Sequence, residues 1–246
     1  MPPLARADQI LRRGMALLTA FALAAFPVFF VTTSVRVAVN SLPLYTYGFR
    51  RYSVAEATGI APEALEQVAR AFIAYFNGPD EWLAVRAPVF GVERSLFNQR
   101  ETLHMRDVKG LVRGVYRAQE VAGGVIGIWL IASLLLQGRK YTGRVLLGGG
   151  GLSIGLLVVA GLALAFAFPW LFTLFHILSF RNPLWQLDPS RDLLVQLFPE
   201  GFWFMATMLV AAGSLAQAGI GSLVGWVLLA RKAGQGAQPN RADGER

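Results

Sequence analysis

"VLLGGGGLSIGLLVVAGLALAFAF", residues 145–168, is a run of 24 residues without a charge. A hydrocarbon core about 30 Å thick is crossed by roughly 20 apolar residues in a helix, so this stretch predicts a membrane span. Three others match it: "MALLTAFALAAFPVFFVTTSV" (15–35), "VAGGVIGIWLIASLLL" (121–136) and "FWFMATMLVAAGSLAQAGIGSLVGWVLLA" (202–230). The 246-residue chain is 54% hydrophobic and 15% charged, well under the roughly 25% charged content of soluble domains, with a mean hydropathy of +0.47. The predicted fold class is an α-helical membrane protein with four transmembrane helices and a small α+β cap in the first outer loop. Clustered glycines in the third span (Gly148 to Gly151, Gly155, Gly161) and the fourth (Gly213, Gly219, Gly221, Gly225) suit close helix packing in lipid.

Orientation follows from charge in short loops. "QGRKYTGR" between spans two and three carries Arg139, Lys140 and Arg144, and Arg231 and Lys232 open the tail. The excess of basic residues places these on the cytoplasmic side. Arg6, Arg12 and Arg13 precede the first span, whose apolar run exceeds the 7–15 residues of a signal-peptide core, so it reads as a retained anchor. The expected order is a cytoplasmic N-terminus (1–14), a first span (15–36), an extracytoplasmic cap (37–118), a second span (119–137) and a cytoplasmic loop (138–144). A third span (145–168), an interfacial segment (169–201), a fourth span (202–230) and a disordered cytoplasmic tail (231–246) complete it. Span parity alone puts 37–118 and 169–201 on one side. No charge interrupts a span, so no proton relay or ion path through the bilayer is expected.

The net charge of +8 comes from basic residues flanking apolar spans, not from a Lys/Arg stripe interleaved with aromatics, which argues against nucleic acid as a partner. With no cysteine, disulfides, thiolate metal sites and a cysteine acyl-enzyme are excluded. In the first outer segment, "LYTYGFRRY" (44–52) alternates Tyr45, Tyr47 and Phe49 at period two and predicts a strand. Pro62, Glu63 and Glu66 open a helix whose stripe Leu65, Val68, Phe72, Ile73, Phe76 ends at "NGP". "WLAVRAPVFGV" offers one or two short strands. The second outer segment opens apolar, headed by Pro169, with His176 among Trp170, Phe172, Phe175, Phe180 and Trp185. That predicts a helix lying in the interface or re-entering it.

The chemistry concentrates in "FNQRETLHMRDVKGLV" (97–112). On a helix, Glu101, His104 and Asp107 share an arc about 120° wide. A carboxylate beside an imidazole fixes its tautomer and raises its basicity, as a general base near neutral pH requires. An ordinary solvated helix face has the same spacing. A metal would need a third ligand from Glu101, Asp107, Asp188 or Asp192 beside the two histidines, and none is expected. No Gly-x-Ser-x-Gly elbow marks a serine hydrolase.

"RETLHMRDVKGLV" together with "FHILSFRNPLWQLDPSRDLLVQLFPEGFW", on four spans with a long first outer loop, resembles the bacterial lipoprotein intramolecular transacylase family. "YGFRRYSVAEATGI" and "AFIAYFNG" also resemble that family's outer domain, and the likeness runs from Met15 to about Ala230. It implies an acyltransferase of the bacterial cytoplasmic membrane whose substrates are diacylated lipoproteins, working among membrane lipids without a cofactor. The sn-2 acyl chain would move from the glyceryl oxygen to the cysteine's own α-amine, leaving the lyso-form. His104 is implied as the catalytic residue, with His176 in the same outward-facing pocket.

An amine with a pKa near 8 is within reach of a histidine base, and tethering of ester to amine makes positioning the larger contribution. Glu101 and Asp107 would orient His104 or hold the ammonium. Lys109, Arg100, Arg113 or backbone amides would stabilise the oxyanion. Trp185, Asp188 and Asp192 complete the candidate substrate-binding set. Two rival classes are a non-enzymatic four-span scaffold whose cap binds a partner, and a metal-dependent membrane hydrolase.

Overall fold

A computed structural model of the chain describes residues 3–230 and is mostly helical. The expected tail 231–246 lies outside the described residues. Four helices are long and apolar enough to cross a membrane: α1 (Pro3–Val39), α5 (Gln99–Leu136), α6 (Arg139–Ser179) and α8 (Glu200–Ala230). Between α1 and α5 lie α2 (Leu42–Arg51), α3 (Val54–Thr58), α4 (Pro62–Asn77) and a hairpin of β1 (Arg86–Val89) and β2 (Val92–Ser95). A single 3-10 turn (Pro183–Trp185) and α7 (Leu193–Leu197) join α6 to α8.

The cap is more helical than its sequence suggests. The hairpin is the only sheet among the described residues, two antiparallel strands in register Ala87↔Arg94, Pro88↔Glu93. Residues 44–52 are not a strand: 44–51 fall within α2 and Tyr52 caps its C-terminus. Ser41 caps it by accepting from the Leu44 amide, and Pro43 stands in the first turn, where its missing N–H costs nothing. The buried set is Tyr45, Gly48 and Phe49, spaced i, i+3, i+4, while Tyr47 is left exposed. The capping signal and this helical face prevail over the period-two aromatics.

The helix read from Pro62 onward is α4, and it buries Leu65, Val68, Phe72 and Phe76 as its stripe requires. Its rings meet Phe97, Phe198 and Tyr45's neighbours in one apolar cluster, with Phe72 edge-on to Phe198 at 5.0 Å between centroids. α7 contributes Leu193, Leu194 and Leu197 to the same cluster. The two outer segments therefore share one core.

A second cluster lies among the spans: Ala22, Phe26 and Phe30 of α1, Trp129 of α5, Leu146 and Leu157 of α6, and Ala218 of α8. Glycine brings α6 and α8 into backbone contact. A Cβ on Gly225 would fall 2.6 Å from the Leu147 nitrogen and 2.7 Å from the Gly143 carbonyl. Gly148, Gly151, Gly155, Gly161 and Gly219 meet nothing within 4 Å of that position, so only part of the glycine cluster is used for packing. Lipid supplies no hydrophobic drive between helices, and polar cross-links add to packing. Trp129 Nε1 donates to Thr19 Oγ1 at 3.2 Å, and Gln217 Nε2 donates to Ser34 Oγ at 2.8 Å.

Two features position the site. α5 is one unbroken helix, so the polar stretch from Gln99 is the outer end of the same rod that forms span two. α6 continues past its span to Ser179 instead of ending there, with a kink at Ala167 (φ −128°, ψ 28°). Pro169 explains it: the ring removes an N–H and disfavours helical geometry just before it. Beyond the bend the helix carries His176.

Candidate active site

The start of α5 is fixed by a capping box. Asn98 Oδ1 accepts from the Glu101 amide at 3.1 Å, and the Glu101 carboxylate accepts from the Asn98 amide at 2.8 Å. Glu101's other oxygen accepts from the Leu194 amide at 2.6 Å, which ties α5 to α7. Burial raises its pKa from the ordinary value, while backbone donors from Asn98 and Leu194 oppose the rise. Asn98 Nδ2 also donates to Asp192 Oδ1 at 2.9 Å, and Asp192 Oδ2 accepts from the Asp188 amide at 2.7 Å. Glu101 and Asp192, 1% and 2% exposed, are thus the struts of a joint. Both Glu101 oxygens are engaged away from His104, so Glu101 does not orient the imidazole.

One turn along, His104 is buried and meets His176 with ring centroids 6.4 Å apart and planes tilted by 32°. This is well inside the ~12 Å within which two groups could serve one reacting centre. Phe180 packs edge-on to His104 at 5.0 Å. His176 is ringed by Phe172 at 4.5 Å, Trp185 at 5.0 Å and Phe175 at 5.3 Å. Its Nδ1 lies 2.7 Å from the Phe172 carbonyl four residues back. A carbonyl can only accept, so Nδ1 carries the proton and Nε2 is left with the lone pair. His104 Nδ1 is buried with no hydrogen-bond partner among the described residues.

Burial, and next the neighbouring His176, push the His104 pKa down to about 4, with Asp107 acting the other way. The imidazole is therefore neutral at physiological pH. For a histidine held down in this way, the charged form is populated only below that value. Turnover plotted against pH should show no inflection between about 6 and 7, where an ordinary histidine titrates. Burial likewise holds the His176 pKa below its ordinary value, opposed by the Phe172 carbonyl at Nδ1, so an inflection at about 6.5 in kcat/KM would mean that one of the two imidazoles is solvated in the working enzyme.

The other candidate residues are bound elsewhere. Lys109 donates through Nζ to the Asp80 carbonyl at 2.5 Å and lies over the Tyr75 ring, so it braces the cap and does not face the histidines. Arg113 donates to the Gly78 carbonyl at 3.0 Å. Arg100 donates to the carbonyls of Pro183 and Gln186 at 2.7 and 2.9 Å. Asp107 Oδ2 accepts from Asn182 Nδ2 at 2.8 Å. Asp188 accepts from the Ser190 amide and hydroxyl in a local turn. Of these, Trp185 alone stands against a histidine ring, that of His176. Asn98 and Asn182 were overlooked from sequence, although Asn98-x-x-Glu101 is a capping-box spacing and Asn182 precedes a proline.

A family model for the lipoprotein intramolecular transacylase Lit matches residues 20–203. The chain belongs to this family. It is an acyltransferase of the membrane, a lipoprotein intramolecular transacylase. The fold of this transacylase is shared with the membrane-integral Lit from Bacillus cereus at a TM-score of 0.78 and 19% identity, covering 89% of this chain and 98% of that one. Two further structures of the Bacillus cereus protein, with one histidine replaced by arginine or by alanine, align at TM-scores of 0.75 and 0.73. Each is 19% identical over 93% of this transacylase. No curated protein sequence matches it.

Proposed function

We propose that this transacylase moves the sn-2 acyl chain of a diacylglyceryl-cysteine to that cysteine's α-amine, with His104 and His176 as the reacting pair. The observation that supports this most is that the only two histidines in the chain, carried by two different helices, face each other at 6.4 Å. The α-amine attacks the ester carbonyl carbon as His104 takes the proton it sheds. The tetrahedral intermediate then collapses: the bond from that carbon to the glyceryl oxygen breaks, and the oxygen receives a proton from the pair. One N–C bond replaces one O–C bond, with no water and no carrier. Two imidazoles this close carry one positive charge between them, not two, which suits a single proton entering at the amine and leaving at the glyceryl oxygen.

His176 presents Nε2 to the centre; burial lowers its pKa, and the Phe172 carbonyl at Nδ1 only partly opposes that shift. The aromatic rings around both histidines supply a dry wall in which acyl chains are at home. The pair lies on the extracytoplasmic side, because the basic loop at Arg139 and Lys140 stands at the other end of α5 and α6. Both chain ends are then cytoplasmic. The product is an isomer of the substrate, so intact mass does not report the reaction. Fragmentation of lipoprotein N-termini from a bacterium lacking such an enzyme, with and without this gene, should show the free α-amine replaced by an amide and one glyceryl hydroxyl freed. Persistence of the free amine with the protein in the membrane would overturn the assignment.

A further inference from the structure

Arg100, His104 and Asp107 lie on α5 within an arc of roughly 60°, and the two charged residues flank the imidazole by one turn on either side. Their hydrogen bonds run away from the histidines, although the Asp107 charge still acts on His104. Both hold the strand of chain that leaves His176. Arg100 donates to Pro183 and Gln186, and its Nε approaches the Leu184 carbonyl at 3.5 Å. Asp107 accepts from Asn182, whose Oδ1 in turn accepts from the Leu184 amide at 3.1 Å and starts the 3-10 turn. That turn ends on Trp185, the ring tilted against His176 at 5.0 Å, and the segment begins at Phe180, which packs against both imidazoles.

We infer that Arg100 and the Asp107–Asn182 bond form a two-point clamp whose task is to set His176 and Trp185 in register with His104. Both are positioning residues: they act through the 180–186 segment and do not touch the substrate. This rests on the histidine pair being the reacting centre. The physical need is plain. α5 and α6 make few contacts with each other, and the kink at Ala167 leaves the outer end of α6 without a straight rod beneath it. Something else must fix the separation of the rings, and a misplacement of about 1 Å can cost ~10²-fold in rate. A purely electrostatic role for Asp107, orienting His104 or holding the substrate's ammonium, makes a different demand. It needs the negative charge at position 107, whereas the clamp needs only a donor opposite an acceptor.

The test is an exchange of the two partners. N182D sets two carboxylates against each other and should lower kcat by ~10²-fold with KM little changed. D107N/N182D reverses donor and acceptor: the amide at 107 donates to the carboxylate at 182, which still accepts from the Leu184 amide. It should restore kcat to within ~5-fold of the parent, a factor below the ~10²-fold cost of lost register. Thermal unfolding of each purified variant in detergent separates loss of register from loss of fold. If N182D does not accumulate, N182A removes the bond without adding charge and should show a smaller loss in kcat alone.

The clamp is overturned if N182D or N182A turns over at the parental rate. It is equally overturned if D107N/N182D folds normally yet stays as slow as N182D. H104Q assayed in parallel keeps the two readings apart. If H104Q retains full activity, the reacting pair itself is wrong. If H104Q is inactive and the exchange does not rescue, only the clamp fails.

Discussion

His104→Gln should convert diacylated lipoprotein to the lyso-form between roughly 10²- and 10⁴-fold more slowly than the parent, the range that a positioned acid–base group contributes. Glutamine keeps approximate size and hydrogen-bonding capacity but cannot carry the amine's proton. The protein should still fold, because His104 Nδ1 has no hydrogen-bond partner among the described residues and its ring contacts are to Phe180 and His176. His176→Gln should fall in the same range. The double variant should be little slower than either single one, since the two act on one proton and their losses do not add. Labelling of free N-terminal amines in purified lipoprotein measures all three. A His104→Gln enzyme working at the parental rate would remove the base from the mechanism.

The second large effect is an absence of exchange. A lipoprotein bearing isotopically heavy acyl chains, mixed with a light one of different peptide sequence, should give products in which every heavy amide sits on the heavy peptide. The chain offers no cysteine to hold an acyl group between substrates, and the described pair of imidazoles can serve as base and acid when ester and amine arrive tethered. Effective molarities of ~10⁵ M or more for such tethered groups let transfer within one molecule outrun any encounter with a second. Heavy chains on the light peptide's amine would require a carrier and sink the intramolecular route.

Much of this was legible in the sequence because lipid imposes a coarse, long-range rule: a helix must stay apolar for some 20 residues. That rule found all four spanning helices and, through parity, set both histidines on one side. It could not see that α6 runs through Pro169 to Ser179, since a proline signals both a break and a bend. The cap was harder. Tyr45, Tyr47 and Phe49 satisfy a strand pattern, and only Ser41 and Pro43 at the entry reveal the helix. The polar cluster reads as one functional arc because spacing gives the face of a helix but not the partner. Glu101 proved to be a capping residue and strut, and Asp107 reaches Asn182, 75 positions away in the chain. Such pairings depend on how the 180–186 segment folds back, which no local pattern encodes.

α5 and α6 meet at the short turn around Gln137 and Gly138, and each carries its histidine near its far end. The helices therefore work as two rulers measured from a common zero. His104 stands 34 residues above Gly138 on one ruler and His176 stands 38 above it on the other, the longer one bent at Ala167, so their meeting height is counted out in peptide units of about 1.5 Å up to that bend. The bilayer becomes part of the gauge. With the histidine pair as the proposed reacting centre, a thicker or thinner bilayer should change the depth at which the rings meet a lipoprotein's ester bond, and activity in vesicles of graded chain length should follow it.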